Sequence, residues 1–140
     1  MAETISITMS EYEAFDLFTN LVSQTYQLMF GFFSLISAFL IMSYSVAKKL
    51  NNVLSSIVIV LFTIVSVFFV LQFYFINGAL DSLYIDMLDK KQTGIFELNW
   101  FGTHPAWTTQ LVTVIQILIA VGGYFGGLFF YYYRRNTADT

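Results

Sequence analysis

Five side chains of this sequence have the chemistry of a metal or acid–base site and lie close along the chain: Asp81, Asp86, Asp89, Glu97 and His104. On a helix, Asp86 and Asp89 share one side, and an imidazole joining the carboxylates would complete an oxygen-and-nitrogen set able to take a divalent cation. The spacing argues against that use. Acidic residues near a helix start are ordinary favourable electrostatics, and a histidine beside Pro105 reads as a solvated loop residue. No H-E-x-x-H, phosphate loop, dinucleotide glycine set or G-x-S-x-G turn occurs. Cysteine is absent, which removes disulfides, thiolate metal ligands and cysteine nucleophiles. The expectation is a protein that is not an enzyme and carries no metal or cofactor. An enzyme or metal-binding protein using these carboxylates and His104 is the weakest of three functional readings.

A second pattern is richer. Gly122-Gly123-Tyr124-Phe125-Gly126-Gly127 holds two overlapping G-x-x-x-G pairs, 122/126 and 123/127. Glycines four apart bare one strip of helix backbone and let another helix approach closely. Two adjacent strips suit a helix contacted on two sides, once within the subunit and once by a neighbour. Gln116 and Ala120 extend the 123/127 strip, so Gly122, Gly123, Gly126, Gly127, Gln116 and Ala120 form the candidate helix–helix interface.

Small and uncharged polar residues recur at spacings of three and four in two other segments. One series runs through Asn20, Gln24, Gln27, Gly31, Ser34, Ala38, Ile41, Ser45 and Lys48; another runs through Asn52, Ser56, Ile59, Thr63, Ser66, Val70, Phe73 and Asn77. The third segment continues the theme with Thr109, Thr113, Gln116, Ala120, Gly123 and Gly127. Such spacing places each series on one face of a helix. The residues Gln24, Gln27, Gly31, Ser34, Ala38 and Ser45 are therefore a stripe that either packs helices together or lines a water-filled pore. The opposite faces, rich in Phe, Leu, Ile and Val, are expected to meet lipid.

The elements that carry these patterns follow from charge. Of 140 residues only 11% are charged while 57% are hydrophobic, and Asp, Glu, Lys and Arg are absent from 17–47, 50–80 and 98–133. A bilayer span needs about 20 apolar residues, so each run is long enough to cross. The chain is expected to be a single all-α integral membrane domain, 1–140. Its three transmembrane helices are placed at about 21–47, 53–76 and 107–133, with a short amphipathic helix, either lying at the interface or extending the second span, and a loop in the external segment 77–106. Ser10 with Glu13 reads as a capping box that starts a helix at Glu11. Lys48 to Asn52 reads as a turn, Asn77-Gly78 as a break or kink, and Thr108 or Thr109 as the cap of the third span. The acidic N-terminus lacks the positive region of a cleavable signal, so the first span is expected to be retained.

With three spans, Lys48, Lys49, Arg134 and Arg135 share a side with one acid, while Lys90 and Lys91 share the other with eight acids. Positive-inside then puts the N-terminus outside and the C-terminus in the cytoplasm, in a cell or inner membrane. No ionisable Lys, Arg, Asp or Glu lies within a span, which argues against proton relays and voltage sensing. Expected partners are membrane lipids and, through the third span, the protein itself or another membrane protein; nothing suggests nucleic acid. The leading expectation is a self-associating or accessory subunit of a membrane complex. The alternative is a homo-oligomeric pore lined by the stripe of the first span.

Overall fold

The computed structural model describes residues 9–97 and 107–137. Within them the chain forms three long helices, α1 (Glu11–Val46), α2 (Asn52–Gln92) and α3 (Trp107–Asn136), with one 3-10 turn at Ala47–Lys49. Each is long and apolar enough to cross a membrane. This is a multi-pass membrane protein of three packed helices, with no strand among the described residues.

Local chemistry sets the helix ends. Ser10 Oγ accepts from the Glu13 backbone N–H at 3.2 Å, and the Glu13 carboxylate accepts from the Ser10 N–H at 2.8 Å. This reciprocal pair satisfies two backbone donors that a helix start leaves orphaned. Asn51 caps α2 with a single such bond, its Oδ1 accepting from the Leu54 N–H at 2.8 Å. At the far end of α2, Gly94 adopts φ 75°, a left-handed conformation open to glycine without a Cβ clash. The turn it makes lets Ile95 N–H return to the Lys90 carbonyl. Thr109 does not cap α3; it lies inside the helix, and its hydroxyl donates to Asp81 at 3.2 Å.

The expected break at Asn77-Gly78 is absent, and α2 runs through it unbroken for 41 residues. Asn77 is held in helical geometry by donating to the Phe73 carbonyl one turn back, at 2.8 Å. At 1.5 Å per residue α2 is about 60 Å long, roughly twice the hydrocarbon thickness. The amphipathic segment is therefore the continuation of α2 rather than a separate helix at the interface. Its apolar side packs on α1: Met87 is buried with Ala14 and Phe96, and Phe18, Leu83, Tyr84 and Leu88 surround them.

The membrane core departs from the expected division of faces. Phe32, Phe39, Phe62, Phe73 and Tyr131 are all buried, so the interior is aromatic. Phe39 and Phe62 stack with centroids 3.7 Å apart and planes within 8°; Tyr131 lies beyond Phe39, and Tyr124 beyond Phe62. Other aromatics, among them Phe33, Phe68, Tyr74, Phe75 and Phe129, do face outward. The reason is complementarity of size. Bare glycine backbone on α3 leaves a trough that large flat rings fill with many dispersion contacts.

Candidate functional site

The two glycine pairs of α3 occupy different surroundings. A Cβ placed on Gly123 would lie 3.3 Å from the Phe32 ring and 3.5 Å from Ile36, and one on Gly127 would lie 3.2 Å from Phe62 and 3.3 Å from Phe39. Gly123 and Gly127 thus seat the aromatic side chains of α1 and α2. Gly122 and Gly126 have nothing within 4 Å of such a position. They form a bare strip on the outside of the bundle, beside the exposed Leu118, Ile119 and Phe129. Ala120 is buried against Phe32 and Phe73, and Gln116 is half-buried at the α2 contact.

The small and polar series of α2 and α3 face one another. Asn77 Nδ2 donates to Gln116 Oε1 at 2.7 Å. Thr63 donates its proton to the Ile59 carbonyl at 2.8 Å, so at the 2.9 Å contact with Tyr124 the tyrosine hydroxyl is the donor. Nearer the end of α3, Ser55 Oγ and Tyr131 OH are 2.5 Å apart, and Arg135 donates to both Ser55 Oγ and Asn52 Oδ1. These three hydrogen-bonded levels, with Thr109–Asp81 as a further one, pin α2 to α3, each worth about 0.6 kcal/mol and up to about 1.7 in a membrane interior. Ser66 is buried between two of these levels, and its Oγ has no partner among the described residues.

The α1 series is placed differently. Gln24, Gln27, Ser34, Ala38 and Ser45 are exposed on the outer surface of the bundle, and Gly31 alone approaches another helix, 3.3 Å from Phe69. Within the subunit this stripe does not pack helices together. The face of α1 that does so carries Thr25, Phe32, Phe39 and Ser43, because its rings fit the glycines of α3.

Outside the membrane core, Asp86 is paired with Lys90 at 2.9 Å, one turn along the same helix. Among the described residues no group of three His, Asp or Glu side chains is arranged to hold a metal ion. His104 lies outside the described residues. Hydrogen bonds from the Ser10 backbone and then from its hydroxyl hold the Glu13 carboxyl below its ordinary value of 4.5.

Asp81 has a place that sequence reasoning missed. Within the segment 77–106, it faces α3 through Thr109, one turn beyond the Asn77–Gln116 contact. The signal was available, since Asn77 and Asp81 continue the α2 series at a spacing of four. Comparison with protein-family models, with curated proteins and with solved structures gives no match to this chain.

Proposed function

We propose that this three-span protein is a non-enzymatic, self-associating or accessory subunit of a membrane complex, and that the outer strip of α3 is its docking face. The observation that carries the reading is the unequal filling of the two glycine pairs. Gly123 and Gly127 are occupied by the chain's own rings, whereas Gly122 and Gly126 offer the same bare backbone to whatever lies outside. Lipid tails are as apolar as leucine, so close helix approach at small residues is the main attraction left between membrane helices. The N-terminus and the 93–106 connection lie outside the cell in this reading, with Lys48, Lys49, Arg134 and Arg135 facing the cytoplasm.

Crosslinking in native membranes tests it. Gly126→Leu should abolish the crosslinked dimer or complex while the monomer folds normally. A protein that is monomeric at all expression levels, or an association unchanged by Gly122→Leu and Gly126→Leu together, would overturn the proposal.

One observation favours a second reading, a homo-oligomeric pore. Gln24, Gln27, Ser34 and Ser45 lie on the outer surface of α1, where polar amides facing hydrocarbon are costly unless water or another subunit meets them. Ion flux into liposomes discriminates: a conductance altered by Gln27→Leu supports the pore, and none at any voltage or gradient removes it.

A further inference from the structure

A seam between α2 and α3 holds two cavities, each of about 280 Å³, lined only by those two helices. The upper one is bounded by Tyr74, Asn77, Gly78 and Asp81 of α2 and by Gln110 and Val114 of α3. The lower one is bounded by Val67, Leu71, Val121 and Phe125, with Ser66 among its lining residues. Val67, Leu71, Tyr74 and Gly78 follow at spacings of four, three and four, and Gln110, Val114, Val121 and Phe125 at four, seven and four. Each set therefore lies on one side of its helix, so both cavities open along the same seam. Gly122 and Gly126 belong to neither.

The two cavities differ in chemistry. At the upper one, the Asp81 carboxylate accepts a single hydrogen bond, from Thr109 at 3.2 Å, and no cation pairs with it among the described residues. Both amide protons of Asn77 are committed, to Phe73 and Gln116, and its Oδ1 is an acceptor with no donor among the described residues. Thr113 spends its proton on the Thr109 carbonyl. The upper cavity thus presents a negative charge and acceptor oxygens, a combination that selects a cationic hydrogen-bond donor and repels an anion. The lower cavity is walled by aliphatic and aromatic side chains. From Asp81 to Val67 is fourteen residues, a rise of about 21 Å, which matches one leaflet from headgroup to midplane.

We infer that the seam binds one membrane lipid whose headgroup carries an ammonium group, with the ammonium on Asp81 and Asn77 and an acyl chain running down to Val67 and Val121. The occupant fits because one molecule supplies both a charged donor at headgroup level and an apolar tail at the midplane. This inference is independent of association through α3, since neither Gly122 nor Gly126 lines either cavity.

The test is photolabelling of the full chain, purified in a non-ionic detergent, with phosphatidylethanolamine or phosphatidylglycerol carrying a diazirine near the chain end. Mass spectrometry of the irradiated protein should place adducts within 67–71 and 121–125. The ethanolamine lipid should label about tenfold more than the glycerol lipid, the ratio expected for one charge-assisted hydrogen bond. Asp81→Asn should remove that preference and Asp81→Glu should keep it. Val121→Phe, a change at the lipid-exposed rim that leaves the core untouched, should block labelling by filling the lower cavity. Equal labelling by the two lipids, an undiminished preference in Asp81→Asn, or adducts concentrated elsewhere would each overturn the inference.

Discussion

Replacing Gly127 distinguishes a glycine that seats a ring from one that merely lies on a helix surface. A methyl group there would sit 3.2 Å from Phe62 Cζ and 3.3 Å from Phe39 Cδ1. Neither ring can yield freely, because they stack on each other at 3.7 Å and are flanked by Tyr131 and Tyr124. Overpacking of this kind costs about 1–3 kcal/mol, while alanine in place of glycine returns up to about 1 kcal/mol of helix propensity. Gly127→Ala should therefore destabilise the fold by about 1 kcal/mol net. Gly127→Leu adds three more carbons where no room exists and should cost about 3 kcal/mol or more. A Cβ on Gly126 meets nothing within 4 Å, on the outside of the bundle, so Gly126→Leu should leave monomer stability within about 1 kcal/mol of the parent. Unfolding by sodium dodecyl sulfate in mixed micelles, followed by tryptophan fluorescence at concentrations where the protein is monomeric, measures all three. If Gly127→Leu and Gly126→Leu unfold at the same detergent fraction, the assignment of inner and outer glycine faces is wrong.

Asn77→Leu and Gln116→Leu should each destabilise α2–α3 packing, and a double-mutant cycle in the same assay should give a coupling of about 0.6–1.7 kcal/mol; strict additivity would deny the contact. Glu13 is stabilised as the carboxylate, so its contribution is complete above its ordinary value of 4.5 and is lost as pH falls through the lowered folded value. Amide exchange at residues 11–14, corrected for intrinsic rates, should show the start of α1 fraying across that acidic window and holding above it; Glu13→Gln should show no such transition. Because the chain has no cysteine, single cysteines report topology cleanly. A membrane-impermeant maleimide on intact cells should label Ser10→Cys but not Asn136→Cys. Labelling of both from one side would exclude three spans.

The spans were legible because exclusion of charge over more than 20 residues has few explanations other than hydrocarbon. The capping box at Ser10 was legible for a similar reason: both partners are local, three residues apart. What a single series of spacings does not reveal is how its helix is rotated against its neighbours. The series of α2 and α3 turn toward each other and meet at Asn77–Gln116 and Thr63–Tyr124. The α1 series has the same spacing yet faces outward, because Phe32 and Phe39 fit Gly123 and Gly127 better than serines and glutamines would. That fit is a property of two helices together and leaves no mark on either alone. Assigning Phe32, Phe39, Phe62 and Phe73 to lipid-facing sides failed for the same reason. Asn77-Gly78 misled because its turn chemistry, strong in water, loses to the i−4 hydrogen bond that Asn77 makes inside the helix.

Oxidative crosslinking of single cysteines along α3, in membranes of cells expressing the full chain, addresses the docking face most directly. Phe129 projects from the same side as Gly122 and Gly126, and Phe125 from the α2 seam. Self-association through the outer strip requires a disulfide-linked dimer at Phe129→Cys, its loss when Gly126→Leu is added, and little dimer at Phe125→Cys. Monomer at every position, with no larger adduct to another membrane protein from an amine-reactive crosslinker, would contradict the role proposed for this face.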